Sequence, residues 1–163
     1  MSIKTIIVQG DGIRREFFAS GEVTPGHLLE ITSAAVDTAK VHANADRNAY
    51  PLFAVEDDLQ GKEISEVYAT GKRMQANMML PGDVVNAIIT NGQIGTKGAF
   101  AVSGGDGGLK TLTAIATASD GTFDEGGETI YTNAIIGVFL ETVDMSDSSE
   151  ADPASARIKV LII

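Results

Sequence analysis

Few side chains in this sequence are equipped to start covalent chemistry. Cysteine is absent, which removes thiolate nucleophiles, thiolate metal ligands and disulfides together. A hydroxyl nucleophile needs a base beside it, and the only histidines are His27 and His42. His27 directly follows a Pro-Gly pair, His42 lies among polar residues, and no G-x-S-x-G elbow occurs, so both read as structural or surface groups. The glycine cluster from Ser103 to Thr111 ends in Lys-Thr like a phosphate loop. Leu109, however, stands where that pattern needs glycine, and the run that follows reads as a strand rather than a helix. A tight β turn around Asp106, with glycines at positive φ, is the expectation there. Asp120, Asp124, Glu125 and Glu128 offer oxygen ligands that would suit calcium, but without EF-hand spacing. Gly121, Gly126 and Gly127 suit a hairpin loop equally well. Glu56, Asp57 and Asp58 supply neighbouring carboxylates of the kind glycosidases use, with no tryptophan to form a sugar platform. The expectation is no catalytic residue, no cofactor and no metal.

The composition narrows the partners. With 163 residues, 44% of them hydrophobic, the chain can bury a proper core, and one domain spanning 1–163 is expected. Twelve Lys and Arg stand against 22 Asp and Glu, a formal charge of −10, which argues against direct nucleic-acid binding. Ile6, Ile7 and Val8 make an apolar run far too short for a secretory or membrane-spanning segment, so no membrane partner is expected and the protein should be made in the cytoplasm and stay soluble. From Thr111 to Ala156 there is no Lys or Arg, while nine Asp and Glu fall there. These read as solvated loop residues, with a calcium or partner site as the alternative.

The elements that must position these groups read as strands. Eighteen glycines punctuate segments rich in Val, Ile and Thr, the pattern of a mainly β chain with Gly-rich turns and little helix, folded as a small β-barrel or sandwich. Strands are expected at 3–9, 27–32, 51–55, 73–80, 84–90, 100–103, 109–118, 129–142 and 156–163. Met74, Ala76 and Met78 alternate with Arg73, Gln75 and Asn77, as in a strand with one wet face. Ile158, Val160 and Ile162 alternate likewise, and this last strand is expected to pair with the run 133–141. The stretch 33–48 has helix propensity, but its β surroundings favour a strand near 39–42. Pro25-Gly26 and Pro81-Gly82 should form turns, proline presetting the first central position and glycine accepting positive φ at the second.

The order of several segments resembles the cement or head-decoration proteins of tailed phages, over nearly the whole chain. They are VTPGHLLEI from Val23, PLFAVEDDLQGKEI from Pro51, YATGKRMQANMMLPGDVVNAII from Tyr68, the SGGDGGL turn from Ser103, and AIIGVFLETVD from Ala134. Lys72 departs from the family, in which an acid commonly follows this glycine, and the Ala-rich 33–39 is irregular. The resemblance implies a non-enzymatic virion protein on the outer surface of the capsid, binding the major capsid protein of an expanded head as a homo-oligomer, a trimer foremost, and stabilising it. Many modest contacts around a closed shell sum to a large stabilisation.

The candidate capsid contacts are Lys4, Arg14, Arg15, Phe17 and Phe18, basic and aromatic groups concentrated in residues 1–20, which would form an extended N-terminal arm. The opposing reading makes 3–8 an internal strand and both phenylalanines core. A carbohydrate- or receptor-binding module exposed on the virion is the alternative function, disfavoured by three Tyr and no Trp. A metal-assisted hydrolase using the acidic loop is the remaining one.

Overall fold

The computed structural model describes residues 4–33, 36–113, 133–147 and 156–163. Among them run thirteen strands: β1 (Ile7–Gln9), β2 (Ile13–Ala19), β3 (Leu29–Ile31), β4 (Thr38–Val41), β5 (Leu52–Ala54), β6 (Arg73–Met78), β7 (Val84–Ile88), β8 (Ile94–Gly95), β9 (Phe100–Ser103), β10 (Leu109–Thr111), β11 (Ile135–Phe139), β12 (Val143–Asp144) and β13 (Arg157–Ile162). One 3-10 turn, Asp58–Gln60, is the sole helical element among the described residues. The chain is mainly β, as its punctuation by glycine required.

Five strands form a sheet in the order β3-β4-β2-β6-β5. Its two edges meet, because Leu28, just before β3, bridges Phe53 in β5, so the sheet curls shut. Inside lie Phe17, Leu29, Leu52 and Met74, interleaved with Ala19, Ala39, Ala54 and Ala76, with Val23 and Tyr68 also packed in this core. Large groups set against alanines let so small a barrel fill without voids. The second sheet has the order β1-β7-β13-β11-β9-β10, and a parallel bridge from Ile89 to Leu109 brings the end of β7 against β10. Its core holds Val85, Ala87, Ile89, Ile136, Phe139, Ile158, Val160 and Ile162, joined by Leu28, Phe53 and Val55 from the first sheet. β8 and β12 form a separate two-stranded ribbon.

Both Pro-Gly pairs are turns. His27 N–H donates to the Thr24 carbonyl at 3.1 Å and Asp83 N–H to that of Leu80 at 3.0 Å, with Gly26 at φ 98° and Gly82 at 99°. Gly26 also joins the sheets, since its N–H donates to Ala54 O and its carbonyl accepts from Ile88 N–H. A Cβ there would lie 3.2 Å from Asn86 O and 3.2 Å from Ile88 Cγ1. Gly26→Ala combines positive φ with that crowding and is expected to cost about 1–2 kcal/mol of unfolding free energy, read from urea midpoints. An unchanged midpoint would remove Gly26 from the seam.

Several expectations need correction. Residues 7–19 do not form an arm: β1 pairs with β7, and β2 lies between β4 and β6. β2 was not foreseen as a strand, because IRREFFA shows little alternation. The polar side of β6 is not wet, since Gln75 and Asn77 are 6% and 2% exposed. Gln75 Nε2 donates to Glu16, and Asn77 Nδ2 to the Asp11 carbonyl, whereas the Gln75 and Asn77 side-chain oxygens have no partner among the described residues. Helix propensity in 33–48 gives way to β4, held parallel to β2 and antiparallel to β3. β13 pairs with β11 as expected, with Ile158, Val160 and Ile162 facing the core. The parts of the expected strands at 3, 114–118 and 129–132 lie outside the described residues, as do Asp120, Asp124, Glu125 and Glu128.

Candidate interaction surface

The groups that might have carried chemistry are engaged in holding the fold. His42 Nδ1 is 2.7 Å from the Ser103 hydroxyl, and its Nε2 is 3.2 Å from the Asn48 carbonyl and 3.9 Å from Glu30. A carbonyl can only accept, so in the neutral ring Nε2 carries the hydrogen and Nδ1 accepts from Ser103. The Ser-His-Glu order resembles a hydrolytic triad, but Ser103 is fully buried and His42 is 4% exposed, so no substrate carbonyl reaches the hydroxyl in this conformation. The contact ties β9 of one sheet to the chain leaving β4 of the other.

His27 Nδ1 accepts from Thr24 N–H at 3.1 Å, closing the turn that starts at Thr24. Burial, with a smaller contribution from the nearby Arg157 charge, lowers its pKa to about 4 despite the opposing pull of Asp106. Arg157 reaches the carbonyls of Pro25 and Ile64, and burial lowers its pKa as well.

The acidic triplet is structural too. Glu56 accepts from Ile6 N–H, Asp57 from Gln60 N–H at the 3-10 turn, and Asp58 pairs with Arg14 at 3.3 Å. Tyr68 donates its hydroxyl to Val55 O at 2.8 Å, and burial pushes its pKa up to about 12. In the glycine cluster, β9 and β10 form a hairpin with Leu109 opposite Ser103, and Asp106 accepts from Gly108 N–H and the Thr90 hydroxyl. This is the tight turn its composition suggested, followed by a strand. Among the described residues, no three His, Asp or Glu cluster as metal ligands.

The five candidate contacts separate. Phe17 points into the first barrel and is 7% exposed, so it belongs to the core and not to a contact surface. Phe18, the next residue along the strand, faces out and is 42% exposed. Arg14 shares that outer side, opposite Asn77 in the register, while Arg15 lies exposed on the other side of β2, beyond the packed core, without an ion pair among the described residues. Lys4 is exposed ahead of β1.

The structure adds Arg73 and Glu16, which local sequence did not single out. β6 sets Arg73 opposite Phe18, with its guanidinium 5.5 Å from the ring centre and 2.9 Å from Glu16. Glu16 accepts from Gln75 and Arg73, and those two contacts hold its carboxyl below the usual range. The outer side of β2 and β6 thus presents an exposed phenylalanine stacked by an arginine and flanked by paired charges. A hollow of about 130 Å³ lined by Glu16, Phe17, Phe18, Asp37 and Arg73 is too small for a drug-sized ligand. The arrangement is suited to protein contact, where arginine and aromatic anchors dominate.

No family model matches the chain, and no curated protein matches it in sequence. Among solved structures, it is similar to the crystal structure of the head fiber gp8.5 N base in bacteriophage phi29, with a TM-score of 0.53 and 15% identity, covering 94% of this chain and 95% of that one. At that identity the likeness is one of fold.

Proposed function

We propose that this chain is a non-enzymatic structural protein of a tailed-phage virion, attached to the outer surface of the head, where it binds the major capsid protein and stabilises the expanded shell. The observation that carries this reading is the fold likeness to a head fiber base, which spans almost the whole of both chains. The order of segments that resembles head-decoration proteins supports it independently, and so does the engagement of both histidines and the acidic triplet within the fold. A homo-oligomer, a trimer foremost, would multiply modest contacts around the shell.

In this reading the outer side of β2 and β6 meets the coat, with Phe18 as the anchor and Arg14 and Arg73 around it, while Arg15, on the other side of β2, and Lys4, ahead of β1, lie outside this patch. Phe18 is half exposed, so removing its ring leaves the core intact. Phe18→Ala is therefore expected to weaken binding to expanded, undecorated heads by about thirtyfold, the effect of losing one interface anchor. The measurement is co-sedimentation of protein with heads, together with the melting temperature of the heads. Saturable binding with a raised melting temperature supports the reading. Absence of binding at any ratio would overturn it, and full affinity in Phe18→Ala would move the contact to another face.

A further inference from the structure

We propose that the open edge of β2, residues 13–16, receives an extended, acidic segment of the coat protein as an added strand. The inference deepens the coat contact proposed above and rests on that reading. β2 is paired along most of its length on one side only, where residues 13–18 run opposite 78–73 of β6. On its other side β4 reaches just Phe18 and Ala19. The hydrogen bonds present fix which way each backbone group points. Phe18 and Ser20 N–H donate toward β4, to Asp37 O at 2.7 Å and Ala39 O at 2.9 Å, while Ala19 N–H donates the opposite way, to Lys72 O. Alternation along the strand therefore turns the N–H and C=O of Arg14 and Glu16 toward the line of β4, where no strand among the described residues meets them. All of residues 13–16 are exposed, Ile13 by 50%. Unpaired backbone groups along an extended edge are a template for another extended chain.

Charge selects the occupant. Arg14 is paired with Asp58 and Glu16 with Arg73, whereas Arg15 has no ion pair among the described residues. Ile13 and Arg15 share one side of the strand. An incoming strand that sets a carboxylate opposite Arg15, and an apolar group two residues away for Ile13, therefore matches this edge. A second copy of this chain paired through the same edge would bring two Arg14-Arg15 pairs together, which like-charge repulsion opposes. The edge is also continuous with the outer side of β2 and β6, because Arg14, Glu16 and Phe18 alternate along it. The hollow lined by Glu16, Phe17, Phe18, Asp37 and Arg73 lies where the unpaired stretch gives way to β4, and its size suits one side chain of the added strand. Backbone pairing then supplies affinity, and the Arg15 and hollow contacts supply register.

Amide hydrogen exchange on the free protein tests the edge without heads. Arg14 and Glu16 N–H should exchange about tenfold or more faster than those of Arg15 and Phe17, which face β6. Uniform protection across these four residues overturns the inference whatever the heads do. Co-sedimentation with expanded, undecorated heads then tests the partner. Arg14→Pro removes an N–H on the open side and leaves the β6 ladder intact, while Arg14→Ala removes the same side chain and keeps that N–H. The proline variant is expected to bind about tenfold more weakly than the alanine variant, and Arg15→Glu about tenfold more weakly than wild type. Equal affinity of the proline and alanine variants, with the wild type bound, overturns the added strand and leaves the coat contact standing, even if Arg15→Glu binds weakly. A wild-type chain that binds no heads overturns the coat reading itself, and with it the identity of the partner named here.

Discussion

Phe53→Ala is expected to cost about 3–5 kcal/mol, the largest loss from any single side chain considered, because one ring serves two sheets. Phe53 belongs by hydrogen bonding to β5 of the five-stranded sheet and bridges Leu28 there. Its side chain is fully buried and packs in the core of the other sheet, with Leu28 and Val55 beside it. Truncation leaves a cavity that neither sheet can close without shifting against the other, so transfer and cavity terms add. Urea unfolding followed by far-UV circular dichroism measures the cost. A loss below about 1 kcal/mol would mean that the two sheets do not share a core at this residue.

The second large effect is one of pH. His27 titrates near 6.5 when unfolded and at about 4 when folded, since burial disfavours its charged form. Between those values the unfolded chain binds more protons, so stability is fully present above about 6.5 and falls as the pH drops through this window. The loss is about 2 kcal/mol by pH 5 and approaches about 3 kcal/mol near pH 4. The structural event is specific: protonated Nδ1 cannot accept from Thr24 N–H, so the turn at Pro25-Gly26, which carries the backbone link between sheets, loses its side-chain closure. Asparagine places an acceptor oxygen near the same point and does not titrate. His27→Asn should therefore flatten the dependence of the urea midpoint between pH 7 and 5. Equal slopes in variant and wild type would show that the proton goes elsewhere.

Local signals made much of this architecture legible. Phe100–Ser103 was readable to the residue, and the alternation of Ile158, Val160 and Ile162 identified both the last strand and its inner face. Pro25-Gly26 and Pro81-Gly82 announced their turns because proline and glycine act through their own dihedrals. What failed depended on distant neighbours. β2 looked unlike a strand because its charged outer side and its exposed Ile13 and Arg15 break the alternation, and only pairing with β4 and β6 makes it one. Gln75 and Asn77 looked wet because nothing nearby announces that Glu16 and the Asp11 backbone cap them. The candidate surface was half legible: a basic and aromatic cluster was visible, but the assignment of Phe17 inward and Phe18 outward needed the register. Arg73 could be found only by folding β6 against β2.

The position of β7 has a consequence for how the protein is made. It is flanked by β1 on one side and β13 on the other, strands drawn from opposite ends of the sequence. A nascent chain leaving a ribosome can close the five-stranded sheet once β6 has emerged. The neighbouring sheet lacks a central strand until residues 157–162 are free. With synthesis at about 5–20 residues per second, β7 waits several seconds with one edge open, an interval in which it is vulnerable to pairing with the wrong chain. Completion of this sheet is thus a late event that follows release of its last strand, and a chain stalled or truncated before that point would be exposed to chaperones and proteases.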